Sequence, residues 1–350
     1  MELVKIKMGT SLFYYIYLFA CIGVFLALYF GLRNKNEKLQ RKVLLAVLFF
    51  NFALHFLKQA FPEYIYKDYY ASDNPVRQAF PQILRKCSPE NICAISTMIF
   101  PFIYLSKWTT GKDYMFYLGV ISGVLSCFAP MPAFGLPFYS LEAIRCYICH
   151  ASIWQVPLLM VMFGHHKLDY RRIWKALVMY FMVLCVIMVN ELILIRIGWV
   201  DTKTLFTEVI DGVEYNGYFD SSSRDMGYAV GLPAGTMEEI GKYVLWMTPK
   251  AWKDPYVPIL WELFPVIIYG GLGCMALCAY WEHKHMKEDA LLVIGKAKEL
   301  INRIKVYFEN RKSKKTATQS DPDNPDSNSD TPENPDVSTE EDVKDKESEN

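Results

Sequence analysis

The chain has 350 residues, with 37 Lys and Arg balanced by 37 Asp and Glu, so its formal net charge is zero. The zero hides a separation: residues 321–350 carry 12 acidic and two basic residues, which leaves 35 basic and 25 acidic residues in 1–320, a body of +10 and a tail of −10. The last 30 residues hold only two apolar side chains, Val337 and Val343, so apolar content is concentrated in the body and a uniformly mixed soluble domain is excluded.

A helix needs about 20 apolar residues to cross a bilayer core. In chain order the runs that meet or approach this length are 12–32, 43–60, 91–106, 114–131, 147–164, 174–197 and 256–280, which predicts seven transmembrane helices. The first is uncharged from Ser11 to Leu32 and too long for the core of a signal peptide. Asn51 and His55 interrupt the second, and Glu262 the last. In the long segment 198–255, the Asp211-Gly212 and Asn216-Gly217 steps with Val213 and Tyr215 between them predict a small hairpin. Residues 286–308 place Ala290, Ile294, Ala297, Ile301, Ile304 and Phe308 at helical spacing with lysines on the other face, the pattern of a helix lying on an anionic leaflet. Residues 316–350 are Asp, Glu, Ser, Asn and Pro without apolar periodicity, and are expected to be disordered. The expected fold is therefore all-α: a seven-helix transmembrane domain over 1–283, a basic amphipathic cytoplasmic helix over 284–315 and a disordered acidic tail over 316–350.

Basic residues gather in the 33–42, 107–113 and 165–173 loops and in the run from Lys284 to Lys315. With seven spans these four segments share one side, which the positive-inside rule makes cytoplasmic. The expectation is a multi-pass plasma-membrane protein with its N-terminus outside and its C-terminus in the cytoplasm. Membrane lipids are the expected partners, together with an unidentified protein at the acidic tail. No phosphate-cradling glycine loop occurs, Gly231 to Gly235 reads as a turn, and nucleic-acid binding is not expected.

Ionisable groups at membrane depth are costly, so their positions carry information. In this topology His55, Cys93, His150, Glu191 and Glu262 come from five different spans and all fall in the outer third, with Asn190 beside Glu191. Ser88, Pro89 and Glu90 predict a helix start just before Cys93. A neighbouring His can take the proton of a thiol, and a carboxylate or amide such as Glu191 or Asn190 can orient the imidazole. A Cys–His pair at acyl-chain depth suits acyl transfer through a thioester. Cys146-Tyr147-Ile148-Cys149-His150 also matches the C-x-x-C-H haem-attachment pattern, although no companion haem fold is evident. Cys87, Cys146 and Cys149 are alternatively placed for an outer disulfide, or for a zinc site with His150. Asp169-Tyr170-Arg171 is too short, and wrongly placed, to signify a receptor.

These residues resemble a known family. The stretch Asn91-Ile92-Cys93-Ala94-Ile95-Ser96, the Pro-rich loop from Ala129 to Phe138, His150, Val189-Asn190-Glu191 and the Met226 to Pro233 run are similar to the YwaF-type integral membrane proteins and their eukaryotic relative, transmembrane protein 164. The resemblance covers roughly residues 12–280. It implies a lipid acyltransferase with Cys93 as acyl-accepting nucleophile and His150 as general base; relatives often carry a His where this chain has Asn91. The catalytic candidates are accordingly Cys93 and His150. Asn91, Asn190, Glu191, His55 and Glu262 form the expected supporting pocket, and no metal or cofactor is expected. The alternatives are a transporter or small-ligand binder that uses His55, Glu191 and Glu262, and a non-catalytic structural membrane protein.

Overall fold

A computed structural model describes residues 6, 9–57, 87–130, 133, 137–197, 205–210, 213–218, 244–253 and 258–319. The chain divides into two units, Met1–Met286 and Lys287–Asn350. The first unit is a bundle of apolar helices. Among the described residues five helices are long and apolar enough to cross a membrane: Leu12–Leu32, Glu37–Leu57, Leu141–Met162, Tyr170–Leu194 and Leu260–Asn310; Ile92–Leu105 is apolar but shorter.

Helix α1 (Leu12–Leu32) occupies the predicted span to the residue, and the Ser11 side chain caps it by accepting from the Tyr14 amide. Most of α1 faces outward, with Leu12, Phe19 and Phe30 more than half exposed. Its inner face is tied down by polar groups: Tyr14 donates to the Phe128 carbonyl, Tyr17 to the Phe138 carbonyl, and Gln155 Nε2 to the Cys21 carbonyl at 2.8 Å.

Helix α2 (Glu37–Leu57) begins six residues before the predicted span. Asn36 caps it through the Leu39 amide, and an Arg41–Glu37 pair one turn apart supports the first turn. Its buried residues, Gln40, Leu44, Leu48, Asn51 and His55, fall three or four apart and form one stripe. The end of the predicted span, 58–60, lies outside the described residues.

Helices α3 (Ile92–Leu105), α4 (Thr109–Phe128) and α5 (Leu141–Met162) hold the centre of the core, where Tyr114, Met115, Phe116, Leu159 and Met160 are almost wholly buried. Helices α4 and α5 cross at two glycines. A Cβ on Gly119 would meet the Ile153 carbonyl oxygen at 2.6 Å, and one on Gly123 would meet Trp154 Cβ at 2.9 Å and the His150 carbonyl oxygen at 3.0 Å. Only glycine permits this approach, the small-residue packing that joins helices where water cannot drive association. Both α4 and α5 start earlier than their apolar runs, because polar first turns and the Ser140 cap precede the apolar residues.

Helix α6 (Ile173–Arg196) follows a 3-10 turn at Tyr170–Arg172 that Asp169 caps. Where α3 passes to α4 and α5 to α6, Asp113 is fully buried and accepts from His166 Nε2 at 2.7 Å and from Arg172 Nε and Nη2 at 2.7 and 3.2 Å. Arg172 also donates to the Lys167 carbonyl at 2.8 Å. Beside this cluster, Tyr104 is hydrogen-bonded to His165 Nδ1 at 3.2 Å, and His165 Nε2 to Gln40 Oε1 at 2.9 Å.

The predicted hairpin is present: β1 (Leu205–Ile210) pairs antiparallel with β2 (Val213–Tyr218), Ile210 opposite Val213. Only the Asp211-Gly212 step lies between the strands. Asn216 and Gly217 pair within the ladder, opposite Thr207 and Phe206, so they are not a turn.

The last apolar run is not one uniform helix. A 3-10 turn at Leu260–Glu262, a helical turn at Leu263–Pro265 and a π-turn at Val266–Gly270 lead into α7 (Gly271–Gln319). Pro265 removes a helix donor, and the Gly270-Gly271 pair tolerates the wider turn. Ile259, just ahead, holds φ at 64°, a costly conformation for a β-branched residue. Within the second unit the amphipathic segment is helical as predicted, and Ile294, Ile301, Ile304 and Phe308 are about half exposed. Helix α7 also takes in residues 316–319, the first four of the tail expected to be disordered, because the helix continues past the last apolar side chains of the amphipathic segment. The tail beyond residue 319, the start of the last predicted span at 256–257 and the Met226 to Pro233 run lie outside the described residues.

Candidate functional site

Cys93 sits in the first turn of α3. The helix start differs from the predicted one: Asn91, in extended backbone, is the N-cap, and its side chain accepts from the Ala94 amide at 2.8 Å while its carbonyl accepts from the Ile95 amide at 3.0 Å. Ser88, the predicted cap, is used otherwise, because its hydroxyl accepts from Asn190 Nδ2 at 3.0 Å. Asn91 lies directly against the apolar run and so leaves Pro89 and Glu90 outside the helix.

The lead into α3 is held from two other helices. His55, buried on α2, has Nε2 3.3 Å from the Cys87 carbonyl oxygen, and Asn190 on α6 binds Ser88. Two of the predicted supporting residues, His55 and Asn190, thus both contact the segment that leads to Cys93, and Asn91 caps its helix. Glu191 is buried beside Asn190 on the inward stripe of α6. Glu262 is buried too, but its Oε2 accepts from the Tyr180 hydroxyl at 3.0 Å, a separate grouping between α6 and the turn before α7.

Cys93 is half-buried, and the Ser126 side chain of α4 lies near it. The thiols of Cys146 and Cys149 on α5 and the hydroxyl of Tyr114 lie within electrostatic reach of it. His150 is ten residues into α5 rather than in its first turn, since the helix begins at Leu141. Its Nδ1 is 2.7 Å from the Cys146 carbonyl oxygen and 3.4 Å from the Cys146 sulfur. A backbone carbonyl only accepts, so Nδ1 carries the proton and Nε2 is left with the lone pair. Among the described residues no Cys93–His150 hydrogen bond is present; the His150 ring is bonded to Cys146 instead.

All nine cysteines are free thiols, and Cys146 and Cys149 are buried within a helix. The outer disulfide is therefore not formed, and the haem-attachment reading loses the exposed loop that attachment requires. Among the described residues no group of three or more His, Cys, Asp or Glu side chains is arranged to hold a metal ion.

Among the described residues, cavities open within the bundle. One of about 480 Å³ lies between α4, α6 and the turns before α7; another, of about 300 Å³, lies between α1, α2 and α5. Neither is lined by Cys93 or His150. Sequence reasoning missed Ser126, a hydroxyl in an apolar run with nothing to mark it. The bond from Cys146 to His150 follows from their four-residue spacing, which puts both, but not Cys149, on one helix face.

A family model described as the TMEM164 family matches residues 7–215. No curated protein and no solved structure matches the chain.

Proposed function

The chain belongs to the TMEM164 family of membrane proteins, and on that footing we propose that it is a membrane-embedded lipid acyltransferase that carries the acyl chain on Cys93 as a thioester. What supports this reading is the Cys93 thiol in the first turn of α3, with the Ser126 side chain near it, and a buried helix α5 on which His150 is held by the Cys146 carbonyl in the tautomer whose Nε2 is basic.

In the reaction Nε2 of His150 accepts the thiol proton as sulfur attacks the ester carbonyl of a phospholipid. The oxyanion is met by the first-turn amides of Ile92 and Cys93, the two that Asn91 does not take up. The ester C–O bond breaks, His150 returns the proton to the departing alkoxide, and a lysolipid leaves with the acyl group on sulfur. An acceptor hydroxyl then attacks the thioester, its proton passing through His150 to the sulfur. Water in place of that hydroxyl gives deacylation. A chain-bearing thiol needs access from lipid, which fits seven helices spanning the plasma membrane with the N-terminus outside and the C-terminus in the cytoplasm. Membrane lipids are then its substrates, and the acidic tail is left to engage a protein partner.

The test is to incubate the purified protein in phospholipid nanodiscs with acyl-labelled phospholipid and to measure hydroxylamine-sensitive label. Cys93→Ala removes the label, and His150→Ala slows its appearance by about 10²-fold or more, the usual worth of a general base. Cys146→Ser retains it, because a backbone carbonyl holds the ring. Unchanged label in Cys93→Ala sinks the proposal.

A further inference from the structure

We propose that the cavity around Glu262 is a binding site for a single-chain amphiphile whose polar end is a primary ammonium. The site is independent of the Cys93 reading, and Glu262 lies beyond the residues that carry the family match.

The cavity's volume of about 480 Å³ lies within the range of roughly 300–1,000 Å³ typical of small-molecule sites. Its wall is apolar and aromatic: Tyr114 and Tyr117 from α4, Tyr180 from α6, then Trp261 and Tyr269. Glu262 is the sole carboxyl in the described lining, which contains no Lys, Arg or His. The side chain is 5% exposed. Tyr180 satisfies Oε2 at 3.0 Å, whereas Oε1 is buried with no hydrogen-bond partner among the described residues. A buried acceptor left in this way is costly, and its cost is recovered when a donor enters the cavity.

The chemistry selects among possible occupants. An ammonium bearing N–H groups donates to Oε1 in a charge-assisted bond while its alkyl chain lies along the apolar wall and its charge meets aromatic faces. A quaternary ammonium has the charge but no donor. A fatty alcohol donates without the charge. A carboxylate or phosphate meets Glu262 as a like charge with no basic residue to offset it. The strained backbone at Ile259 lies two residues before Trp261 and three before Glu262, so the turn that presents them is held at a cost, as functional segments often are.

The experiment measures binding of tritiated dodecylamine to the full chain in phosphatidylcholine nanodiscs, with protein-free nanodiscs subtracted, and displacement by unlabelled dodecylamine, dodecanol, dodecanoic acid and dodecyltrimethylammonium. The expected result is one saturable component that dodecylamine displaces at least tenfold more effectively than the other three. Glu262→Gln weakens it about tenfold or more, the worth of one charge-assisted hydrogen bond. Gly270→Leu occupies part of the cavity and weakens binding severalfold; its Cβ meets Leu177 and Val266 only at 3.6 Å, an ordinary contact. If Glu262→Gln does not fold, the displacement series and Gly270→Leu decide. Absence of a saturable component, equal displacement by all four amphiphiles, or undiminished binding in a folded Glu262→Gln overturns the proposal.

Discussion

Replacing Asp113 with Asn tests whether the buried cluster at the head of α4 holds the bundle together. Asp113 has no exposed surface and accepts three hydrogen bonds, two from Arg172 and one from His166. The amide keeps the shape but removes the charge and turns two N–H donors toward groups that also donate. Breaking a buried ion pair from one side costs about 3–5 kcal/mol, because the remaining charge is stranded. The Arg172 side chain is 26% exposed and keeps the Lys167 carbonyl at 2.8 Å, so its charge is partly accommodated. The expected loss is therefore near the lower end, about 3 kcal/mol. Equilibrium unfolding in mixed micelles, followed by tryptophan fluorescence, measures it. A double-mutant cycle with Arg172→Met apportions it: in the Asp113→Asn background, Arg172→Met should cost about 2 kcal/mol less than in the wild type. A loss below about 1 kcal/mol, or strict additivity of the two substitutions, refutes the assignment of stability to this contact.

Three further outcomes are expected. Gly119→Ala forces a Cβ to within 2.6 Å of the Ile153 carbonyl oxygen and should cost about 1–3 kcal/mol, whereas Gly295→Ala, with nothing within 4 Å, should be neutral or stabilise by up to about 1 kcal/mol; thermal midpoints of the two variants decide. Asn91→Ala should lose about 1 kcal/mol of stability through the α3 cap, and Asn91→Ser should restore most of it in the same unfolding assay. Asn190→Ala removes the Ser88 bond, worth about 1 kcal/mol, and should speed alkylation of Cys93 by a membrane-permeant maleimide severalfold; an unchanged alkylation rate would show that Asn190 does not position the thiol.

Much of this architecture was legible in the sequence. The uncharged run 12–32 is α1 to the residue because nothing in it competes with helix and nothing polar blurs its ends. The starts of α2, α4 and α5 were read late for the opposite reason. Their first turns carry polar or charged residues such as Glu37, Thr109, Lys112 and Glu142, which an apolar window excludes; the two glutamates also suit a helix N-terminus. The caps that mark two of these starts, Asn36 and Ser140, are visible signals that the apolar reading passed over. At the site, residue types pointed to Cys93 and His150, but pairing between helices is not written in one strand of sequence. Thus Ser126 beside Cys93, Asn190 on Ser88 and Tyr180 on Glu262 emerge only when the helices are packed. The same gap let Glu262 be grouped with His55, although one faces Tyr180 and the other the Cys87 carbonyl.

The bond from Gln155 to the Cys21 carbonyl spans 134 residues, and that distance is also an interval of time. During synthesis α1 is complete long before the residue that fastens it exists. Until then it must neither leave the bilayer nor seek a wrong helix. An uncharged surface that remains largely exposed even in the finished bundle meets that requirement. Its few polar anchors, Tyr14, Tyr17 and the Cys21 carbonyl, wait for partners that the ribosome delivers later.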